Sequence, residues 1–201
     1  SNSTEEALSL TRKAQEAGAN GALLISPYYN KPTQEGLYEH FKRVAQSVEI
    51  PIVLYNIPGR TAVNIAPETV AHLSEISNIV AIKEASGSLD YVSELMSLSD
   101  ISVLSGNDSL TLPLLGLGAV GAISALANVV PKQSAELIDF FQSGQTERAR
   151  EIHHGLYRLM SALFLETNPI PIKAALEMMG LIKGEIRLPL TWLRSENQEK
   201  L

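Results

Sequence analysis

The sequence is 201 residues long, 45% hydrophobic and 19% charged, which excludes a disordered chain and supplies enough apolar mass for one domain with a sizeable core. Its 16 Lys and Arg against 22 Asp and Glu leave a formal charge of -6 with no basic run, so nucleic acid and anionic membranes are poor partners. Cysteine is absent, which removes disulfides, thiolate metal sites and cysteine nucleophiles. No apolar run reaches the length of a membrane span and no signal peptide is visible, so a cytoplasmic protein handling small molecules is expected.

Along the chain, short apolar runs alternate with helical patterns. Ser3 with Glu6 fits a capping box opening a helix that runs to Ala17. Ala22 to Ser26 is the first run, and Thr33 then precedes a helical pattern through Leu37, Phe41, Val44 and Ala45. Ile52 to Tyr55 follows, with Pro67 at the first turn of the next helix. Ile79 to Lys83 comes next, then a helix after Ser88, then Ile101 to Ser105 and Val120 to Ser124. Each run is near-continuous in apolarity, the pattern of a strand buried on both faces. The spacing of about 18 to 30 residues is that of strand-plus-crossover units in a parallel sheet. From residue 131 the strands give way to helices over Lys132 to Gln142, Thr146 to Leu165 and Lys173 to Met179. The expected layout is therefore an α/β region over residues 1–130 and a helical region over 131–201, packed as parts of one domain.

Polar residues gather at the C-terminal ends of the runs, the face that carries ligands in parallel α/β folds. Neither a G-x-G-x-x-G nor a P-loop pattern is present, so a barrel rim is preferred to a nucleotide crevice. Lys83 ends an apolar strand there. Desolvation disfavours an ammonium group, so a lysine so placed suits imine formation with a carbonyl substrate; the alternative is a rim lysine paired with Glu84 or another carboxylate. Tyr55 ends the neighbouring run and could shuttle protons, or simply pack. Arg60, past the turn Ile57-Pro58-Gly59, could clamp a carboxylate or lie solvated. Asn107-Asp108 could bind a ligand or cap the next helix. His153 and His154 point to different faces of a late helix, and no metal constellation is found. Trp192, Leu159 and Leu163 read as core or interface.

Ser26-Pro27-Tyr28-Tyr29-Asn30-Lys31-Pro32, Leu54-Tyr55-Asn56-Ile57-Pro58-Gly59-Arg60-Thr61 and Ile82-Lys83-Glu84-Ala85-Ser86-Gly87 resemble the dihydrodipicolinate synthase family of Schiff-base aldolases. Ser105 to Asp108, Gly121 to Ser124 and Asn168 to Lys173 continue the likeness. The resemblance implies a (β/α)8 TIM-barrel fold with extra C-terminal helices, usually a homotetramer. It implies that Lys83 forms an imine with pyruvate, whose enamine attacks the aldehyde of aspartate semialdehyde in lysine and diaminopimelate biosynthesis, with no cofactor or metal. Tyr55 matches the relay tyrosine, and Tyr29 the one contributed across a dimer interface. Arg60 matches the arginine that receives the aldehyde substrate's carboxylate, and Ile123 and Gly106 match residues against pyruvate. Asn2, Glu6 and Tyr28 match part of a lysine-effector site. Sister aldolases of the N-acetylneuraminate lyase or 2-keto-3-deoxy sugar acid type are the alternative, and a catalytically inactive fragment is a third. About five strands are legible against the eight of a closed barrel, so an N-terminally incomplete barrel is expected. The family's neighbouring threonines have no match here, and by this reading the chain alone has little activity and tends to associate.

Overall fold

The computed structural model describes residues 1–201. Ser3 opens helix α1 (Thr4–Glu16) by accepting the Glu6 N–H at 3.4 Å. Only half of the expected capping box forms. The Ser3 N–H donates to Ser1 Oγ at 3.1 Å, and the Ser1 hydroxyl in turn donates to the Glu6 carboxylate. Strand β1 (Ala22–Ile25) follows, then α2 (Gln34–Ala45), capped by Thr33 through Gly36 N–H. Next come β2 (Ile52–Asn56), a short helix α3 (Pro58–Thr61) and α4 (Pro67–Ser74), both begun by proline. β3 (Ile79–Glu84) leads to α5 (Leu89–Leu98), whose cap is Ser88. β4 (Ser102–Ser105), α6 (Thr111–Leu117) and a two-residue β5 (Gly121–Ala122) complete the strand-bearing part. α7 (Pro131–Gln142), α8 (Thr146–Ala162), α9 (Ile170–Met178) and α10 (Ser195–Gln198) end the chain.

The chain forms two compact units, one of residues 1–107 with 116–122 and one of residues 108–115 with 123–201. The sequence boundary at 130/131 therefore falls inside the second unit. The polar and glycine punctuation around Asp108 and Ser124 marks where the chain passes between them, and both segments precede helical turns rather than strands.

In the first unit all five strands are parallel and lie in the order β1-β2-β3-β4-β5. This is the run of neighbours that successive strand–helix units of a TIM barrel produce. One face of the sheet is covered by helices along β2 and the end of β3: Ile52, Leu54 and Ile82 are buried with Phe41, Val70 and Val92. The other face is only half-buried at Val53, Tyr55 and Lys83, contrary to the expectation of strands closed on both sides. The apolarity was near-continuous in sequence, but the helix layer covers one face alone.

In the second unit the predicted packing role of the late helices holds. Leu163 is buried in a cluster with Leu126, Met160 and Ile172, and Trp192 packs beside Ile170, Ala174 and Leu193.

Candidate active site

Strand register decides which residues share a face. Ile25, Tyr55, Lys83 and Leu104 are consecutive Cα partners across β1 to β4, so they form one row on the half-buried face. Within that row the Lys83 Nζ sits over the Tyr55 ring, 4.2 Å from its centroid. That is a close cation–π distance when the amine is charged. Burial raises the Tyr55 phenol above its ordinary pKa, opposed by the nearby Arg60 charge, so Tyr55 holds its proton at neutral pH.

Gly106 closes one side of the lysine. Its N–H donates to Glu84 O at 2.7 Å. A Cβ there would stand 2.8 Å from Ala85 Cβ, 3.0 Å from Glu84 O and 3.1 Å from Lys83 Cε. Only glycine leaves room for the lysine stem in its present path.

The next residues along each strand face the helices instead. Ser26, Asn56, Glu84 and Ser105 are all buried, and Asn56, Glu84 and Ser105 share one register row. The Glu84 carboxylate accepts from Asn56 Nδ2 at 2.8 Å and from the Ser86 N–H. The reading of Glu84 as a rim partner for Lys83 is thereby corrected: adjacent residues of a strand point to opposite faces, and this carboxylate is engaged on the helix side. Burial raises the Glu84 pKa, opposed by its hydrogen bonds from Ser86 and Asn56.

Arg60 lies on α3, which closes at Ala62 in the left-handed region, φ 59°. The turn expected from Ile57-Pro58-Gly59 is thus a single helical turn. Tyr29 is 88% exposed with φ 74°, so its loop presents the ring outward rather than beside Lys83. The candidate effector residues lie close to that loop: Asn30 Nδ2 donates to Asn2 O at 3.0 Å, Tyr28 is partly exposed, and Glu6 is held by Ser1. Ile123 belongs to the second unit.

Asp108 is not a surface ligand; it bonds to the start of a distant helical turn. It is buried, accepts from Leu126 N–H at 2.9 Å and from the Ser124 hydroxyl, and Ser124 Oγ accepts from Ala127 N–H at 2.9 Å. This pins the chain immediately after Ile123. No local pattern in the sequence signals that link, because its partners are 16 and 18 residues away. A cleft of about 720 Å³ at the opposite ends of β3 and β4, lined by His72, Ile79, Asp100 and Ile101, contains no lysine and lies away from the Lys83 row.

The structure sets an amine over a phenol ring at the ligand-bearing strand ends of a parallel α/β sheet in TIM-barrel order. The dihydrodipicolinate synthetase family model matches residues 1–201, and the chain belongs to that family. A 4-hydroxy-tetrahydrodipicolinate synthase of Methanothrix thermoacetophila is 55% identical over 204 residues, covering 100% of this chain and 69% of the relative. Among solved structures, dihydrodipicolinate synthase from Aquifex aeolicus is 54% identical with TM-score 0.97, covering 99% of this chain and 69% of that one. A chloride-inhibited dihydrodipicolinate synthase from Acinetobacter baumannii, complexed with pyruvate, is 46% identical with TM-score 0.96 and covers 98% and 69%. These relatives carry the synthase name, which favours that reading over the sister aldolases. No helix is long and apolar enough to cross a membrane.

Proposed function

We propose that this chain carries the imine-forming centre of a lyase that condenses pyruvate with aspartate semialdehyde to 4-hydroxy-tetrahydrodipicolinate. The observation that carries it is the Lys83 Nζ stacked 4.2 Å over Tyr55 at the strand ends. Lys83, as free amine, adds to the pyruvate ketone carbon and a water leaves, giving an imine. The imine draws electrons from the methyl group, which loses a proton to become the enamine carbon nucleophile. That carbon forms a bond to the aldehyde carbon of the second substrate, whose oxygen takes a proton. The second substrate's own amine then displaces Lys83 from the former ketone carbon, closing the ring and returning the free lysine. On this reading the imine is the electron sink and neither a cofactor nor a metal is needed.

Tyr55, protonated and half-buried beside the amine, is suited to hand protons to the departing water and to the new alkoxide. Arg60 would receive the aldehyde substrate's carboxylate, and Gly106 would leave space for the lysine stem and pyruvate. The exposure of Tyr29 supports its contribution to a second subunit's site in a cytoplasmic homo-oligomer, a tetramer by family likeness. The proximity of Asn30 to Asn2 supports a lysine-effector site at Asn2, Glu6 and Tyr28.

The test is trapping. Pyruvate with sodium borohydride should add the reduced pyruvyl mass to the peptide containing Lys83 alone. Label on another lysine, with Lys83 unmodified, would reject the reading.

A further inference from the structure

Asn56 and Glu84 are fully buried polar groups that the proposed chemistry does not use, lying one residue beyond Tyr55 and Lys83. Burial of a carboxylate and an amide is unfavourable unless their bonds are made: Asn56 makes its own to one loop and to Glu84, and Glu84 accepts from Asn56 and from Ser86 N–H. Asn56 Oδ1 accepts the Ile65 N–H at 3.1 Å, which fixes the amide's orientation, since a backbone N–H can only donate. Its Nδ2 then donates to Glu84 Oε2 at 2.8 Å and to Asn64 Oδ1 at 2.7 Å. The Asn56 side chain thus joins the end of loop 57–66 to its beginning, and Glu84 holds that side chain in place from the adjacent strand. Tyr91 braces the same point by donating to Ile65 O at 2.8 Å. Arg60 is carried on the loop so closed.

We propose that Asn56 and Glu84 are a positioning pair that holds the Arg60 loop in register with the Lys83 row, and so governs use of the second substrate rather than imine formation. This rests on the reading of Arg60 above. The pair makes a specific demand: one member must donate and the other accept. Asn56→Asp sets two buried carboxylates face to face. Glu84→Gln leaves either Ser86 N–H or Asn56 Nδ2 facing a donor. The exchanged pair, Asn56→Asp with Glu84→Gln, restores complementarity: the new carboxylate accepts from the new amide and from Ile65 N–H, the new amide oxygen accepts from Ser86 N–H, and the Asn64 amide turns to donate.

The test compares wild type, both single variants and the exchanged pair. Three quantities are read: KM for the aldehyde, rate of borohydride trapping of pyruvate on Lys83, and hydrogen exchange at the Ile65 amide. Asn56→Asp should raise the aldehyde KM and speed Ile65 exchange by about tenfold each, while trapping changes by less than about threefold. The exchanged pair should recover most of both losses. Equal loss in trapping and in aldehyde use, unchanged Ile65 exchange, or no recovery in the exchanged pair would each overturn the proposal. Should the single variants fail to fold, exposed Gln34 offers another handle, since its Nε2 donates to Asn64 O at 2.8 Å and its Oε1 accepts Ala66 N–H at 2.9 Å. Gln34→Met should then speed exchange across the loop and raise the aldehyde KM by about threefold, and no change would overturn the proposal. If the wild-type chain takes no pyruvate label, the functional reading fails on its own, while the exchange data still decide whether the pair clamps the loop.

Discussion

At the ends of β2 and β3, two polar rows lie one residue apart along the strands and face opposite ways. Tyr55 and Lys83 look onto the half-buried face, and Asn56 and Glu84 are sealed under the helices. The first row offers reactive atoms to an open surface. The second has its hydrogen-bonding groups engaged by Ile65, Asn64 and Ser86. A polar residue at a strand end is therefore not evidence of chemistry by itself; the face it occupies assigns it to reaction or to scaffold. The comparison makes an asymmetric forecast. Changes on the lysine face should remove chemistry with little loss of stability, and changes on the helix face should do the reverse or act through a loop.

The largest effect is expected from Lys83→Ala. Removing the only amine stacked on Tyr55 should abolish pyruvate trapping and turnover, while the urea midpoint moves little because the side chain is half-exposed. A large drop in midpoint with trapping retained would break the contrast between the rows.

Tyr55→Phe should come next. The ring stays over Lys83 and the packing is preserved, but the phenolic proton is gone. A lost general acid–base group typically slows such steps by 10² to 10⁴, so a loss of about 10²-fold or more is expected in imine formation. The measurement is the single-turnover rate of trapping against pH. If the rate is unchanged, Tyr55 is merely a packing partner for the lysine.

Gly106→Ala should act more modestly and on both properties. The new methyl meets Ala85 Cβ, Glu84 O and the Lys83 stem at 2.8 to 3.1 Å, so the lysine must be displaced or the β4 end must shift. Overpacking of this kind costs roughly 1–3 kcal/mol. We expect slower trapping together with a lowered melting temperature, and a variant as fast and as stable as wild type would mean that the lysine can take another path at no cost.

The sequence made the strands and helix starts legible because their causes are local. Runs of Ile, Val and Leu mark β1 to β4, and Ser3, Thr33 and Ser88 cap the helices that follow them. Lys83 and Tyr55 were legible because both end apolar runs. The buried row was visible as polar residues, yet its role was missed, although the two-residue period of a strand already required Lys83 and Glu84 to face apart. Which of the two faced the helices could not be read, because the preceding residues are apolar on both faces. The helix α3 was missed, and α6 was only one of two readings after Asp108, for another reason: both are short and contain Pro and Gly, so tertiary packing rather than propensity decides them. Asp108 was ambiguous because its partners are distant in sequence.

The smallest effect expected at neutral pH concerns His40, a polar residue that should govern stability without touching chemistry. It is 5% exposed on α2, and its Nδ1 lies 2.9 Å from Thr4 Oγ1 on α1. Burial first, and then the positive amino terminus, lower its pKa from 6.5 to about 4. The folded state therefore holds His40 neutral while the unfolded chain binds a proton below about pH 6.5. The unfolded state carries more protons between those values, so stability is full above about pH 6.5 and falls as the pH drops toward 4, by about 3 kcal/mol at most. In His40→Gln, which keeps a side-chain amide in reach of Thr4, this acid loss should shrink. Urea unfolding at pH 7 and pH 5 checks it: the wild-type drop between the two should exceed the variant's by about 1–2 kcal/mol, with pyruvate trapping at pH 7 the same in both. An identical pH dependence in variant and wild type would mean that His40 is not held neutral by the fold. Altered trapping at pH 7 would mean that the helix layer reaches the lysine face by a route other than the Asn56–Glu84 pair.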